Sequence, residues 1–205
     1  APPNPLLYEI ASADGTVEGW MIGTIHALPD DTEWRTPAIM QATDAADLLV
    51  VEIAALDDAK GVAGTFSDLS TTPGLPPLEH RLPDDLATLL TDVLARGGIE
   101  RTRFATVETW AAAIMLAQVD ATGDPSNGVD RALIRDFAGR PVRELEGAAA
   151  QLAIFDRLPE AQQRTMLAAV VRESEAARKD PSRLQRAWLA GDAATIEQST
   201  REGFL

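Results

Sequence analysis

Two histidines occur in the chain, and one of them, His26, closes the apolar run WMIGTIH just before the turn at Pro29. An imidazole at a strand exit can serve as a general base or hold a metal ion, because its charge changes near neutral pH. It can equally be a half-buried polar stop in a loop, and the residues alone leave both readings open. Gly23, three residues earlier, reads as a point where the backbone approaches a neighbour closely or takes an unusual dihedral. Glu52 interrupts the apolar run LLVVEIA. A carboxylate inside a buried strand is costly unless it is paired or meets a cation, whereas at a fraying strand end it faces water. If strands 21–26 and 48–53 are parallel neighbours, His26 and Glu52 meet at the carboxyl edge of a sheet, where α/β folds bind ligands. Asp130, in NGVDRAL, stands at a helix start, which favours a carboxylate on dipole grounds alone. Glu144 and Glu146, in PVRELEG, share one face if that segment is a strand.

Several chemistries are excluded. The chain has no cysteine, so thiol nucleophiles, disulfides and cysteine zinc sites are absent. Two histidines cannot build a three-histidine zinc site within one chain. There is no HExxH, GxSxG, GxGxxG after a strand, or Walker loop. Oxygen ligands with one histidine suit a harder divalent ion such as manganese. Such a set is only part of a site unless water or a second chain completes it.

The elements that must position these residues follow from pattern. LLYEIAS and VEGWMIGTIH flank Asp14-Gly15, a tight-turn signal, and predict an antiparallel hairpin. Thr36 caps a predicted helix over 36–47, with Pro37 in its first turn. LLVVEIA follows as a buried strand, so strand, helix and strand predict a crossover. Residues 56–83 read as irregular and proline-rich, with His80 near the end. Helices then dominate: one stopping at Gly97-Gly98, a long apolar one over 106–122, and one opened by Ser126 or Asn127. After a short strand over 141–146 come two helices split at Pro159 and a helical hairpin around Gly191. The fold class is α/β or α+β. It has a small mixed sheet with an N-terminal β-hairpin and a βαβ crossover, a helix-rich insertion and a helical second half. One domain spans 1–205: hairpin and crossover over 1–55, a mainly helical insertion over 56–140, and a short strand with helices over 141–205.

The balance of 18 Lys+Arg against 32 Asp+Glu gives a net charge of −14. That field repels nucleic-acid phosphates, so no nucleic-acid partner is expected. No apolar run reaches the roughly 20 residues a membrane span needs, so no transmembrane segment is expected.

The blocks GTIHALPDDTEWRTPAI, LLVVEI, GVDRALI and RPVRELEGAAAQLAIFDRLPEAQQ, in this order, resemble the TraB/GumN (TraB/PrgY/Tiki) family, most of all its bacterial GumN-type branch. The resemblance runs from about Leu6 into the C-terminal helices. It implies a metal-dependent hydrolase, peptidase-like, using manganese or cobalt, with a peptide or protein substrate. It also implies a periplasmic or cell-envelope location, with a signal peptide removed. Gly23 and His26 match the family's G-x-x-H, Glu52 the acid ending the next strand, and Asp130 the Asp of GVD. Glu146 matches the Glu of the family's G-L-E-T block, where Glu144 replaces the Gly and Gly147 the Thr. On this reading His26 and Glu52 are catalytic and metal-binding, and Gly23, Asp130 and Glu146 support the bound group. The family usually carries a second G-x-x-H near its C-terminus. The expectation is therefore a C-terminally incomplete chain, or a homodimer in which a second copy supplies the missing half. The alternatives are a non-catalytic envelope protein binding a peptide, ligand or metal, and an envelope interaction module.

Overall fold

The structure is a computed structural model that describes residues 2–56 and 58–204. The chain divides into two compact units, one built from Ala1–Ala54, Thr122–Leu145 and Ser182–Gln198, the other from Ala55–Ala121, Glu146–Pro181 and Ser199–Leu205.

The first unit carries the four strands found among the described residues. β1 (Leu7–Ala11) and β2 (Val17–Ile22) form the predicted antiparallel hairpin, with Leu7 opposite Ile22 and a bulge at Ile10/Ala11. Its turn works as the Asp-Gly signal requires. Gly15 takes a φ of 85°. The Asp14 carboxylate accepts hydrogen bonds from the Ser12 hydroxyl at 2.6 Å and the Thr16 N–H at 3.0 Å. α1 (Pro37–Ala45) starts on Thr36, whose hydroxyl accepts from the Ile39 N–H at 3.2 Å. β3 (Leu49–Val51) pairs in parallel with β4 (Val142–Glu144), Leu49 opposite Val142 and Val51 opposite Glu144.

The mixed α/β class, the hairpin and a parallel pair are thus present, but the pairing of β2 with β3 is not. The strands form two separate two-stranded sheets among the described residues. β2 also stops at Ile22, four residues short of His26. The reason lies in the next residues. The Gly23 carbonyl accepts the Trp188 indole N–H at 2.7 Å, and the Ile25 carbonyl accepts the Val129 N–H at 2.9 Å. The backbone after Ile22 is therefore committed to helical segments and not to a ladder. Leu28, Trp34, Ile39, Val129, Leu133 and Trp188 form the apolar core here, with Trp34 edge-on to Trp188 at 6.1 Å.

The second unit is helical. α2 (Ala59–Ser70) occupies part of the stretch read from sequence as irregular. Its N-cap is Asp58, whose carboxylate accepts from the Gly61 N–H at 3.0 Å. α3 (Ala87–Gly97) ends on Gly98 in the left-handed region, as the Gly-Gly signal predicted. α4 (Thr109–Ala117) is shorter than the predicted 106–122 but buried as expected, with Trp110 and Ala111 to Ala113 fully inaccessible. Leu90, Phe104, Leu116, Leu167 and Val171 complete its core. Arg81, 1% exposed, is tied by its guanidinium to the carbonyls of Pro76, Phe104 and Val107.

α5 (Val129–Asp136) belongs to the first unit and begins later than expected. A 3-10 turn covers Pro125–Asn127, so Gly128 and not Ser126 or Asn127 is the N-cap. α6 (Gly147–Asp156) and α7 (Glu160–Lys179) are split at Pro159, and α8 (Arg183–Ala190) and α9 (Ala193–Phe204) turn at Gly191, φ 68°, as the sequence predicted. No helix among the described residues is long and apolar enough to cross a membrane.

Candidate functional site

The site is assembled where the loop after β2 meets the start of α5. Two glycines permit the approach. A Cβ on Gly128 would lie 2.5 Å from the His26 carbonyl oxygen, and one on Gly123 would lie 2.8 Å from the Leu28 backbone. Both are backbone contacts that a side chain cannot push aside. The two segments are then stitched by main-chain bonds: Val129 N–H to Ile25 carbonyl, and Asp124 N–H to Leu28 carbonyl at 2.8 Å. The Asn127 amide adds a bond to Asp30 at 2.9 Å.

This frame places Asp130, in the first turn of α5, against His26. His26 Nδ1 lies 2.6 Å from Asp130 Oδ2. Burial alone would push the Asp130 carboxyl up. Hydrogen bonds from His26 and from the Thr24 hydroxyl outweigh it and hold the pKa below the usual carboxylate range. The helix N-terminus favours the anion as well. The same hydrogen bond raises the His26 pKa, and the charges of Asp130 and Glu52 raise it further. With Asp130 ionised, Nδ1 carries the hydrogen and donates it, which leaves Nε2 with the lone pair in the neutral ring. The side chain of His26 is 82% exposed and that of Asp130 only 17%, so the fixed end of the pair is inside and the reactive edge faces solvent.

Glu52 sits one residue past β3 and is exposed, so its carboxylate is not a buried charge inside a strand. Sequence pattern overestimated the length of that strand. Glu52 is still close enough for its charge to act on His26. The stretch that carries it is held by Glu144, whose carboxylate accepts the Ala54 N–H at 3.0 Å. Gly23 does not make the close approach expected of it. A Cβ there would meet nothing within 4 Å, and its φ is not in the left-handed region. Its contribution is the carbonyl that accepts from Trp188. Glu146 belongs to the second unit, where it stands exposed before α6.

Two residues of the site, Thr24 and Gly128, escaped the sequence reading, and a third, Glu144, was given another role. Thr24 lies two positions before His26, so in an extended segment it shares a side with it, a signal that was present in GTIH. Gly128 was visible in GVD, but only the proximity of the His26 carbonyl explains it. Glu144 was read as a partner of Glu146, yet it serves the end of β3.

Thr24, Glu52 and Asp130 also line a groove of about 690 Å³ in the first unit. Among the described residues no three His, Cys, Asp or Glu side chains converge as a metal-binding group. An ion at this place would draw on His26 Nε2, with Asp130 fixing the imidazole from behind, and on the Glu52 carboxylate, whose charge acts on the ring. That is the arrangement in which a carboxylate orients a metal-ligating histidine. In kind the donors fit a divalent ion, and the remaining ligands would be water or substrate oxygens.

No curated protein and no solved structure matches the chain. The model of the TraB/PrgY/gumN family matches residues 6–204, nearly the whole sequence. The chain belongs to the TraB/PrgY/gumN family.

Proposed function

We propose that this protein is a metal-dependent hydrolase of peptide bonds acting in the cell envelope, with His26, Asp130 and Glu52 as its working groups. The observation that carries the reading is the 2.6 Å contact between His26 Nδ1 and the mostly buried Asp130 carboxylate. An exposed histidine held by an inward carboxylate has its ring orientation and tautomer set in advance. The family resemblance supports the peptide substrate and the envelope location.

In this reading His26, through Nε2, and Glu52 would hold a manganese or cobalt ion, which supplies a water acidic enough to attack at neutral pH. Asp130 keeps the Nδ1 hydrogen engaged, so Nε2 stays an acceptor pointed outward. Thr24 holds Asp130 in place and keeps its carboxyl ionised. As the alternative to binding the ion, the solvent-facing Glu52 takes the proton of the attacking water and returns it to the leaving amine. Glu144 fixes the backbone that carries Glu52 and acts as a positioning residue.

Calorimetric titration with Mn²⁺ and Co²⁺, beside a peptide-cleavage assay, tests the reading. Binding and cleavage are both expected to be lost in His26→Ala. Unaltered affinity and activity in that variant would contradict it. A second reading, ligand or metal binding without catalysis, draws on the small donor set among the described residues. Ion binding that depends on His26, with no cleavage of any peptide, would favour it.

A further inference from the structure

The groove lined in part by Thr24, Glu52 and Asp130 has an unusual wall. Every residue of β2 (17–22) and of β3 (49–51) lines it, together with residues 45–48 leading into β3, Leu7 and Ile10 of β1, and Ile39 and Leu133 on the helices. A sheet face would present every second residue, because side chains alternate. Consecutive residues on both sides mean that the groove runs along strand edges. β2 is hydrogen-bonded only to β1, and β3 only to β4, among the described residues. No residue of β4 lines the groove. The edges of β2 and β3 that border this space are thus the unpaired ones. Such edges are templates for another extended chain.

The chemistry of the lining narrows the occupant. Ile10, Val17 and Met21 on the hairpin, with Leu48 and Val50 at β3, are large apolar side chains left exposed along it. Its ionisable residues are Glu18, Asp47, Glu52 and Asp130, all acidic, with no Lys or Arg. One strand residue fills roughly 160 Å³ at normal rise, strand spacing and sheet thickness, so the groove holds about four.

We propose that the groove binds an extended cationic peptide of about four residues as a strand between β2 and β3. Apolar side chains alternate toward the exposed Val, Met and Leu side chains, and Lys or Arg side chains meet the acidic rim. Main-chain pairing supplies affinity and the alternate side chains supply selectivity. The bound strand turns the two pairs into one continuous sheet and lies against Thr24, Glu52 and Asp130, which line the same groove. This inference rests on the hydrolase reading and specifies its substrate.

The test is fluorescence anisotropy of a labelled octapeptide of alternating valine and lysine, measured on the metal-free protein. With no ion present binding is read without catalysis, so it stands or falls apart from it. Two further peptides carry N-methyl groups on the odd or on the even residues. Successive amides of a strand point to opposite sides, so each blocks one edge. Each loses about tenfold or more in affinity, since several main-chain hydrogen bonds go. Reversing lysine to glutamate abolishes binding, and Val50→Arg weakens it. Failure of the parent peptide to bind, or methylated peptides that bind as tightly as the parent, overturns the proposal. So does loss with one methylated peptide only, which means pairing at a single edge. A protein that is dimeric by light scattering, binds no peptide, and becomes monomeric in Val50→Arg assigns the edges to a second copy and overturns it too.

Discussion

The two units solve different problems with the same alphabet. The helical unit buries long runs: α4 is inaccessible over Trp110 to Ala113, and Leu90, Leu167 and Val171 are fully buried. Among the described residues its one deeply buried charge, Arg81, is consumed by three carbonyls. The unit with the strands has elements as short as three residues, leaves Ile10, Val17, Met21 and Val50 exposed, and spends polar groups on joints between loops. His26 and Asp130 form such a joint, and so do Glu144 and Ala54. Stability is concentrated where side chains interdigitate, and chemistry where short polar contacts hold exposed groups in place.

That contrast can be broken from either side. The largest loss of stability is expected in the helical core. Leu90→Ala leaves a cavity at a fully buried site and should cost about 2–5 kcal/mol in denaturant unfolding. Metal or peptide binding should follow only the folded fraction. Gly128→Ala comes next. Its methyl meets the His26 carbonyl at 2.5 Å, so the loop and α5 must separate. About 1–3 kcal/mol of stability is expected to go. The site should suffer more than the fold, with ion binding lost at temperatures where circular dichroism still reports a folded chain. An intact site in Gly128→Ala would mean that close approach is not what sets it.

Asp130→Asn sharpens the comparison because it changes charge and hardly changes volume. Asp130 raises the His26 pKa above its usual value of about 6.5, so the variant imidazole should titrate at lower pH. The sign of the stability effect follows. The raised His26 pKa gives stability that is complete below about 6.5 and is lost as pH rises through the folded-state value. The lowered Asp130 pKa gives stability present above about 3.8 and lost as pH falls through its folded-state value. Wild type should therefore exceed Asp130→Asn most between those limits, and the difference should shrink toward alkaline pH. Thr36→Ala is the smallest change. It removes the α1 cap and should cost about 1 kcal/mol, without effect on His26.

How much of this was legible depends on range. Local signals read well: the Asp14-Gly15 turn, the Thr36 cap, the Gly98 stop, the break at Pro159 and the bend at Gly191 each act within a few residues. α2 was missed because Gly61 and Gly64 depress its helix propensity, and packing in the helical unit overrides that. The partner of β3 was missed because pairing is decided by tertiary context: β4 lies some ninety residues further on, while β2 was the nearer strand. His26 and Asp130 were each singled out, but Asp130 was explained by its own helix. Nothing in the sequence reports that a residue 104 positions away closes on it. The shared sheet edge was the wrong frame. The site comes from a loop and a helix start that two glycines allow to touch.

The most direct test uses the fact that the chain has two histidines. Their imidazole resonances can be followed by NMR while Mn²⁺ is added below stoichiometry, with His80 as the comparison within the same molecule. The account predicts that His26 broadens first and that Asp130→Asn weakens the effect, as loss of an orienting carboxylate lowers metal affinity by about 10–100-fold. Equal broadening of His26 and His80, or none in either, would contradict the claim that the His26–Asp130 pair is built to hold an ion.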